Sequence, residues 1–383
     1  MPVSASPALP DALRAAALPL DGSARDHDAL LDLVGDRRLV LLGEGSHGTH
    51  EFYAARAAIT MRLVAERGFD AVAIEGDWPD SDRVHRWLRG RGRDRSPADA
   101  LGGFRRFPQW MWRNTAVVDL LTALHAHNRA VGRARAVGFH GLDLYSLHAS
   151  IDEVLRYLDA TDPDAARRAR ARYACFEHFG EDPQAYGYAA SFDLSQSCED
   201  AVVQQLVELR RGGAGADGPH ADADGAGSRE GEGDASDADD AAHDRFSAEQ
   251  NARLVLDAER YYRSMFAGRA SSWNLRDGHM ADTLDALLAH LRARGRAGKV
   301  VVWAHNSHLG DARATEMGRR GELNLGQLAR ERHGDDAVLV GFTTHTGTVT
   351  AADDWGDPAR RMRVNPSLPD SIERALHDAT RAL

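Results

Sequence analysis

Five short apolar runs set the limits on what this chain can fold into. Each is too short for a buried helix, and each runs into polar side chains that can titrate. Residues 38–43 lead into Glu44-Gly45-Ser46-His47-Gly48-Thr49-His50, and 71–74 into Glu75-Gly76-Asp77. Residues 134–139 lead into His140-Gly141-Leu142-Asp143, 299–303 into Ala304-His305-Asn306-Ser307-His308, and 337–342 into Thr343-Thr344-His345. Helical patterns separate them: Phe52, Ala55, Ile59 and Leu63 share one face, and others fall near 114–130, 147–160, 195–211, 247–267 and 279–296. Such alternation predicts an α/β fold with a mostly parallel or mixed central sheet flanked by helices.

Residues 1–36 read as a lead-in with one helix near 26–35, and 37–383 as one α/β domain. The stretch 144–298 shows no strand pattern and reads as a helical cap over the carboxyl edge of the sheet. Within it, residues 212–244 carry ten acidic side chains, one Arg and hardly an apolar group beyond Ala, which predicts a disordered acidic loop. That loop accounts for most of the net charge of −11, so the rest of the chain is close to neutral. Neither a nucleic-acid partner nor an anionic membrane surface is expected. The single lysine, Lys299, argues against Schiff-base and P-loop chemistry. Two cysteines, Cys175 and Cys198, suggest neither a disulfide framework nor a four-ligand zinc site. With no apolar leader at the amino end, a cytoplasmic location is expected.

In open α/β sheets ligands sit outside the carboxyl ends of the strands. Glu44, His47, Glu75, Asp143, His305 and His308 are therefore expected on one rim, although they are scattered in sequence. His47 is the candidate general base, since imidazole titrates near neutrality. Glu44 or Glu75 would orient it and stabilise the imidazolium. His305 would polarise a carbonyl or act as an acid. Arg56 lies on the apolar stripe of the first helix and needs a carboxylate partner. Ser46 does not sit in a Gly-x-Ser-x-Gly elbow, which weakens it as a nucleophile. His50 and His345 read as plain loop residues by themselves, and Asp77 and Asp80 as helix caps. Phe104, Phe107, Trp110, Met111 and Trp112 would either wall a bulky substrate or pack the cap onto the sheet, and packing is favoured.

Together the blocks resemble the erythromycin esterase family. The resemblance rests on Gly43-Glu44-Gly45-Ser46-His47-Gly48 with Glu51-Phe52, and on Ala73-Ile74-Glu75-Gly76-Asp77. It continues with Gly138-Phe139-His140-Gly141-Leu142-Asp143, Trp273-Asn274-Leu275-Arg276-Asp277 with His279-Met280, and Trp303-Ala304-His305-Asn306-Ser307-His308. It implies a hydrolase of carboxylic esters, in some members a macrolide lactone and hence antibiotic inactivation. No metal or cofactor is implied: a histidine, here His47, activates water. Glu44, Glu75 and His305 complete the implied catalytic set, with Arg56, His308, Asp143, His50, Asn274 and Arg276 binding substrate or supporting it. The partner implied is a small-molecule ester. Family chains usually continue beyond the point corresponding to Leu383, so a sheet short of an edge element is expected. Two other readings stay open. One is a metal-dependent hydrolase using His47, His305, His308 and the glutamates. The other is a non-catalytic module binding a small molecule or haem-like ligand.

Overall fold

The structure is a computed structural model that describes residues 9–23, 25–179, 182–192, 197–214, 232–266 and 269–380. Five strands form one sheet: β1 (Leu39–Leu42), β2 (Ala71–Asp77), β3 (Gly138–Asp143), β4 (Val300–Trp303) and β5 (Ala337–Val340), in the order β3-β2-β4-β1-β5. Every pairing in it is parallel. All residues of β1, β2 and β4 are buried because helices cover both faces, hence the unbroken Leu and Val runs. Successive side chains still alternate between faces. Val40, Leu42, Val72 and Ile74 pack with the helices His50–Arg67 and Thr115–Val131. Leu39, Leu41, Ala71 and Ala73 pack with the helix Arg269–Ala293.

The strand order places the chemistry. β1 and β2 are not neighbours; β4, which follows the long insertion, lies between them. Leu42 and Ile74 both align with Trp303, so β1 and β4 end level while β2 runs on to Asp77. The residues after β4 therefore drop between those after β1 and the last residues of β2: His305 N–H donates to Glu75 Oε2 at 2.8 Å, and Asn306 N–H to the Glu44 carbonyl at 2.8 Å.

The insertion is a helical cap with its own core. Helices Leu147–Thr161, Pro163–Tyr173, Pro183–Ser191, Glu199–Ala214 and Glu232–Ser264 enclose Tyr173, Phe176, Tyr186 and Leu254. Two of them begin with an Asp followed by Pro. Asp162 accepts from the N–H groups of Asp164 and Ala165, and Asp182 from those of Gln184 and Ala185.

Several expectations need correcting. Residues 232–244 are not loop but the first part of the helix Glu232–Ser264. Three of its acids pair with arginines: Asp239 with Arg89 and Arg294, Asp240 with Arg91 at 3.2 Å, and Asp244 with Arg91 at 2.8 Å. Composition suggested chain without partners, whereas the fold supplies a basic surface for it; residues 215–231 lie outside the described residues. Cys175 and Cys198 form a disulfide, Cα to Cα 6.0 Å, because cap packing brings the turn Ala174–Phe179 to the start of the helix Glu199–Ala214. The third strand starts four residues later than the apolar run, at Gly138, and includes His140–Asp143. Gly141 permits this: a Cβ there would stand 2.4 Å from the Gly76 carbonyl oxygen, where the β2–β3 register shifts. Among its described residues the lead-in holds two helices, Leu9–Ala16 and Asp28–Val34. After β5 comes an antiparallel pair, β6 (Gly347–Ala351) and β7 (Arg360–Val364). Among the described residues no helix is long and apolar enough to cross a membrane.

Candidate active site

The loop after β1 carries His47, whose ring is held from below by a buried chain. Its Nδ1 lies 2.9 Å from Glu44 Oε1, and Glu44 Oε2 accepts from Arg56 Nη2 at 2.7 Å. Glu44 and Arg56 are 0 % exposed, while the His47 side chain keeps 29 % exposure and lines the cleft. Arg56 is further held between the rings of Tyr53 and Trp303, each 4.5 Å from its guanidinium carbon. The carboxylate makes Nδ1 the proton-bearing nitrogen of neutral His47 and leaves Nε2 as the free base. Burial alone would lower the His47 pKa. The Glu44 hydrogen bond and the charges of Glu75 and Glu44 outweigh it and raise the pKa above its ordinary value.

The turn that carries His47 depends on Gly48. Its φ is +103°, and a Cβ would lie 2.3 Å from the Thr350 carbonyl oxygen of β6. Ser46 is turned to Thr49, hydroxyl to hydroxyl at 2.7 Å.

Glu75, inside β2, anchors a second network. Its Oε1 accepts from Arg276 Nη2 at 2.9 Å and lies 3.3 Å from His308 Nε2. Arg276 also donates to both oxygens of Asp143, at 2.9 and 2.7 Å. His308 Nδ1 reaches Asp277 at 2.9 Å, and its ring stacks on Trp273 at 4.6 Å. Its Nε2 also lies 3.0 Å from Arg276 Nη1, so a neutral ring would accept from Arg276 and a protonated one donate to Glu75. Burial opposes the protonated form, but two carboxylates favour it and carry the His308 pKa up to about 9. Burial also opposes the Glu75 charge; His308, Arg276 and His47 overcome it and hold Glu75 well below the usual carboxylate range. Glu75 is thus a fixed negative charge that also steadies an imidazolium at His47.

His305 stands beside His47, ring centres 5.2 Å apart, without lining the cleft. Its Nδ1 accepts from Ser307 N–H as the cap of the helix Asn306–Leu309, and the ring also bonds the Gly45 backbone. Burial first, and the His47 charge second, lower its pKa. Burial thus favours the neutral ring at His305, whose Nδ1 is taken up by the helix cap.

The cleft, about 530 Å³, opens above His47, Glu75, Asp143 and Arg276. Phe104, Phe107, Met111 and Trp112 do wall it, while Phe104, Met111 and Trp112 also pack on the sheet, so both expected roles are combined. Trp110 instead lies under Gly48. The cap contributes Tyr261, Tyr262 and Met265, and the segment after β6 contributes Trp355. A larger groove, about 1010 Å³, lies within the cap beside Arg168 and Glu208, away from these groups.

Several sequence candidates fall outside the cleft. His50 is exposed at the first turn of its helix. Asn274 pins a distant loop, donating to the Gly321 carbonyl and accepting from Leu323 N–H. His308 is buried behind Glu75. Asp77 precedes the helix Trp78–Leu88 but makes no side-chain cap; its Oδ1 accepts from Tyr145 N–H. Asp80 faces the cleft instead of capping. Sequence reasoning passed over Asp277, Arg106, Tyr145 and Trp355; for Asp277 the signal was its place beside Arg276 in the Trp273–Asp277 block. His47, His305 and His308 do not converge on one point. Among the described residues, no three His, Cys, Asp or Glu side chains are arranged to hold a metal ion.

The sequence profile of the erythromycin esterases matches residues 64–383, most of the chain. The chain belongs to the erythromycin esterase family. A curated relative, erythromycin esterase type II of Escherichia coli, is 22 % identical over 368 residues, covering 93 % of this chain and 82 % of that one. Among solved structures, a succinoglycan biosynthesis protein superposes with a TM-score of 0.72 at 19 % identity, covering 97 % of this chain and 83 % of that one. A mutant erythromycin esterase, EreC, in its open conformation superposes with a TM-score of 0.64 at 21 % identity, covering 94 % and 84 %. At these identities the solved structures establish a shared fold for this family of ester hydrolases.

Proposed function

We propose that the chain hydrolyses a carboxylic ester with water activated by His47, and that the ester is a macrolide lactone, so that the product is an inactivated antibiotic. The observation that carries this is the buried Arg56–Glu44–His47 chain ending in an imidazole open to the cleft. His47 Nε2 takes a proton from water as the oxygen attacks the ester carbonyl. Glu44, 2.9 Å from Nδ1, and the fixed charge of Glu75 stabilise the imidazolium. As the acyl–oxygen bond breaks, the same proton passes to the departing alkoxide, and the net change is the addition of one water. The guanidinium of Arg106 lines the same cleft, 44 % exposed, and is the cation we assign to steadying the oxyanion. Ser46 takes no part, and no acyl-enzyme forms. Neither a metal nor a cofactor enters the reaction.

Mass spectrometry of macrolides incubated with the protein tests this. A product heavier by one water, formed by the wild type and absent with His47→Ala, is expected. An unchanged substrate across a macrolide panel would remove the macrolide assignment. Equal turnover by His47→Ala would remove the mechanism. Thermal stabilisation by a ligand with no product would favour the binding-module reading.

A further inference from the structure

The groove of about 1010 Å³ in the cap shares no lining residue with the cleft. Four helices wall it: Leu147–Thr161, Pro163–Tyr173, Glu199–Ala214 and Glu232–Ser264. Each turns one stripe of its surface inward. Ala165, Arg168 and Arg172 stand three or four positions apart, as do Val203, Val207 and Arg211. The helix Glu199–Ala214 carries more apolar surface than the cap core takes up. Val202 and Leu206 are buried in that core, whereas Val203 and Leu209 lie at its edge. Val207 lines the groove and is 38 % exposed. Tyr157, Leu158 and Ala165 carry the apolar lining onto the first two helices. Covering such surface in a concave site favours a bound ligand.

The groove is also short of negative charge. Four guanidinium groups line it, those of Arg168, Arg172, Arg211 and Arg245, against three carboxylates, those of Asp162, Glu208 and Glu249. Two of the three acids are engaged elsewhere. Asp162 accepts from the N–H groups of Asp164 and Ala165 at the start of a helix, and Glu249 accepts from Arg210 Nε at 2.7 Å. Glu208 is left to serve two arginines: Arg168 Nε donates to its Oε1 at 2.7 Å, and Arg172 pairs with its Oε2. Arg172 also donates to Oε1 of the buried Gln205 at 2.7 Å, which fixes its guanidinium at the groove wall. Arg211, one turn beyond Glu208, makes no ion pair among the described residues. Two guanidinium groups on one carboxylate, with a third close by, attract an anion.

We propose that this groove binds an amphipathic anion: a carboxylate received by Arg168, Arg172 and Arg211, and an apolar chain laid along Leu158, Val203 and Val207. The site is remote from the reacting atoms. Arg245 and Glu249 precede Tyr261, at the cleft, by about three to four turns of one helix. The inference therefore stands whether or not the cleft hydrolyses an ester.

Titration calorimetry of the full chain with decanoate, below its micellar range and at pH about 7.5, tests this. One decanoate per chain is expected, with decanol bound about tenfold more weakly because it lacks the charge. Arg211→Gln alters an exposed side chain and should weaken decanoate about threefold. Val207→Glu puts a carboxylate on the groove face of a helix that accommodates it, and should weaken decanoate about tenfold. Both substitutions are at exposed positions, so the folded chain is available for each measurement. Arg106→Gln removes the exposed cation of the cleft and should leave the affinity unchanged. A loss of affinity in Arg106→Gln would place the anion in the cleft and overturn the proposal. So would the absence of saturable binding, equal affinity for decanoate and decanol, or an affinity unmoved by Arg211→Gln and Val207→Glu. A wild type that is a dimer, split by Val207→Glu and indifferent to decanoate, would assign the groove to a second copy of the chain and likewise overturn it.

Discussion

Replacing Glu44 by Gln preserves its shape, removes one charge and acts on two neighbours. His47 loses the carboxylate 2.9 Å from Nδ1. An opposite charge at this range moves a pKa by about one to three units. The His47 pKa, raised in the wild type, should therefore fall by that amount in Glu44→Gln. Arg56, fully buried, loses its ion pair at 2.7 Å, and a buried charge left without its partner costs about 3–5 kcal/mol. Two assays read these effects: kcat/KM against pH on any ester the wild type hydrolyses, and urea unfolding. A general base must be neutral, so the wild-type rate should climb through the raised His47 pKa, above about pH 6.5. In the variant that limb should move about one to three units toward acid. The plateau should drop about a hundredfold, because the amide no longer stabilises the imidazolium. The urea midpoint should fall as well. An acid limb left in place under a full plateau would refute the assignment of His47 as base and Glu44 as its support.

Other outcomes follow from the same contacts. Ser46→Ala removes only the 2.7 Å bond to Thr49, so kcat/KM should change by less than about tenfold, and a covalent acyl adduct on Ser46 of the wild type would overturn the water mechanism. His308, whose folded pKa of about 9 exceeds its ordinary 6.5, stabilises the fold fully below pH 6.5 and progressively less as pH rises through 9. The unfolding free energy should therefore drop on the order of 2 kcal/mol more across that window in the wild type than in His308→Gln, and parallel curves would contradict the buried cation. Reducing the Cys175–Cys198 bridge, which joins positions 23 apart, should lower stability by about 3 kcal/mol, read as a lower denaturant midpoint that Cys198→Ala reproduces without reductant.

The sequence by itself determined the sheet and much of the chemistry. The runs around Leu39–Leu42 and Val300–Trp303 are apolar throughout because both their faces are covered, and only a central parallel strand needs that. The residues following those runs were legible as a rim, since ligand clefts form where such strands end. Glu44, His47, Glu75, Asp143 and Arg276 are all in or directly beneath the cleft. Asp80, Arg106, Tyr145 and Trp355 were not legible, because nothing local distinguishes a residue facing a cavity from one capping a helix or covering a surface. The acidic segment was misread at 232–244 because composition shows that a stretch carries charge, not that Arg89, Arg91 and Arg294 wait opposite it.

Pairing was decided only by the tertiary structure. β4 enters between β1 and β2, and that order alone sets His305 between Glu44 and Glu75, two carboxylates 31 positions apart in sequence. The helix Arg269–Ala293, packed on the sheet, brings Arg276 to Glu75 and Asp143 from 201 and 133 positions away. Charges buried together must be compensated together. Sequence supplied the charged groups, but which carboxylate holds the base, which holds the arginine and which is left facing the cleft follow from distances that only the folded chain sets.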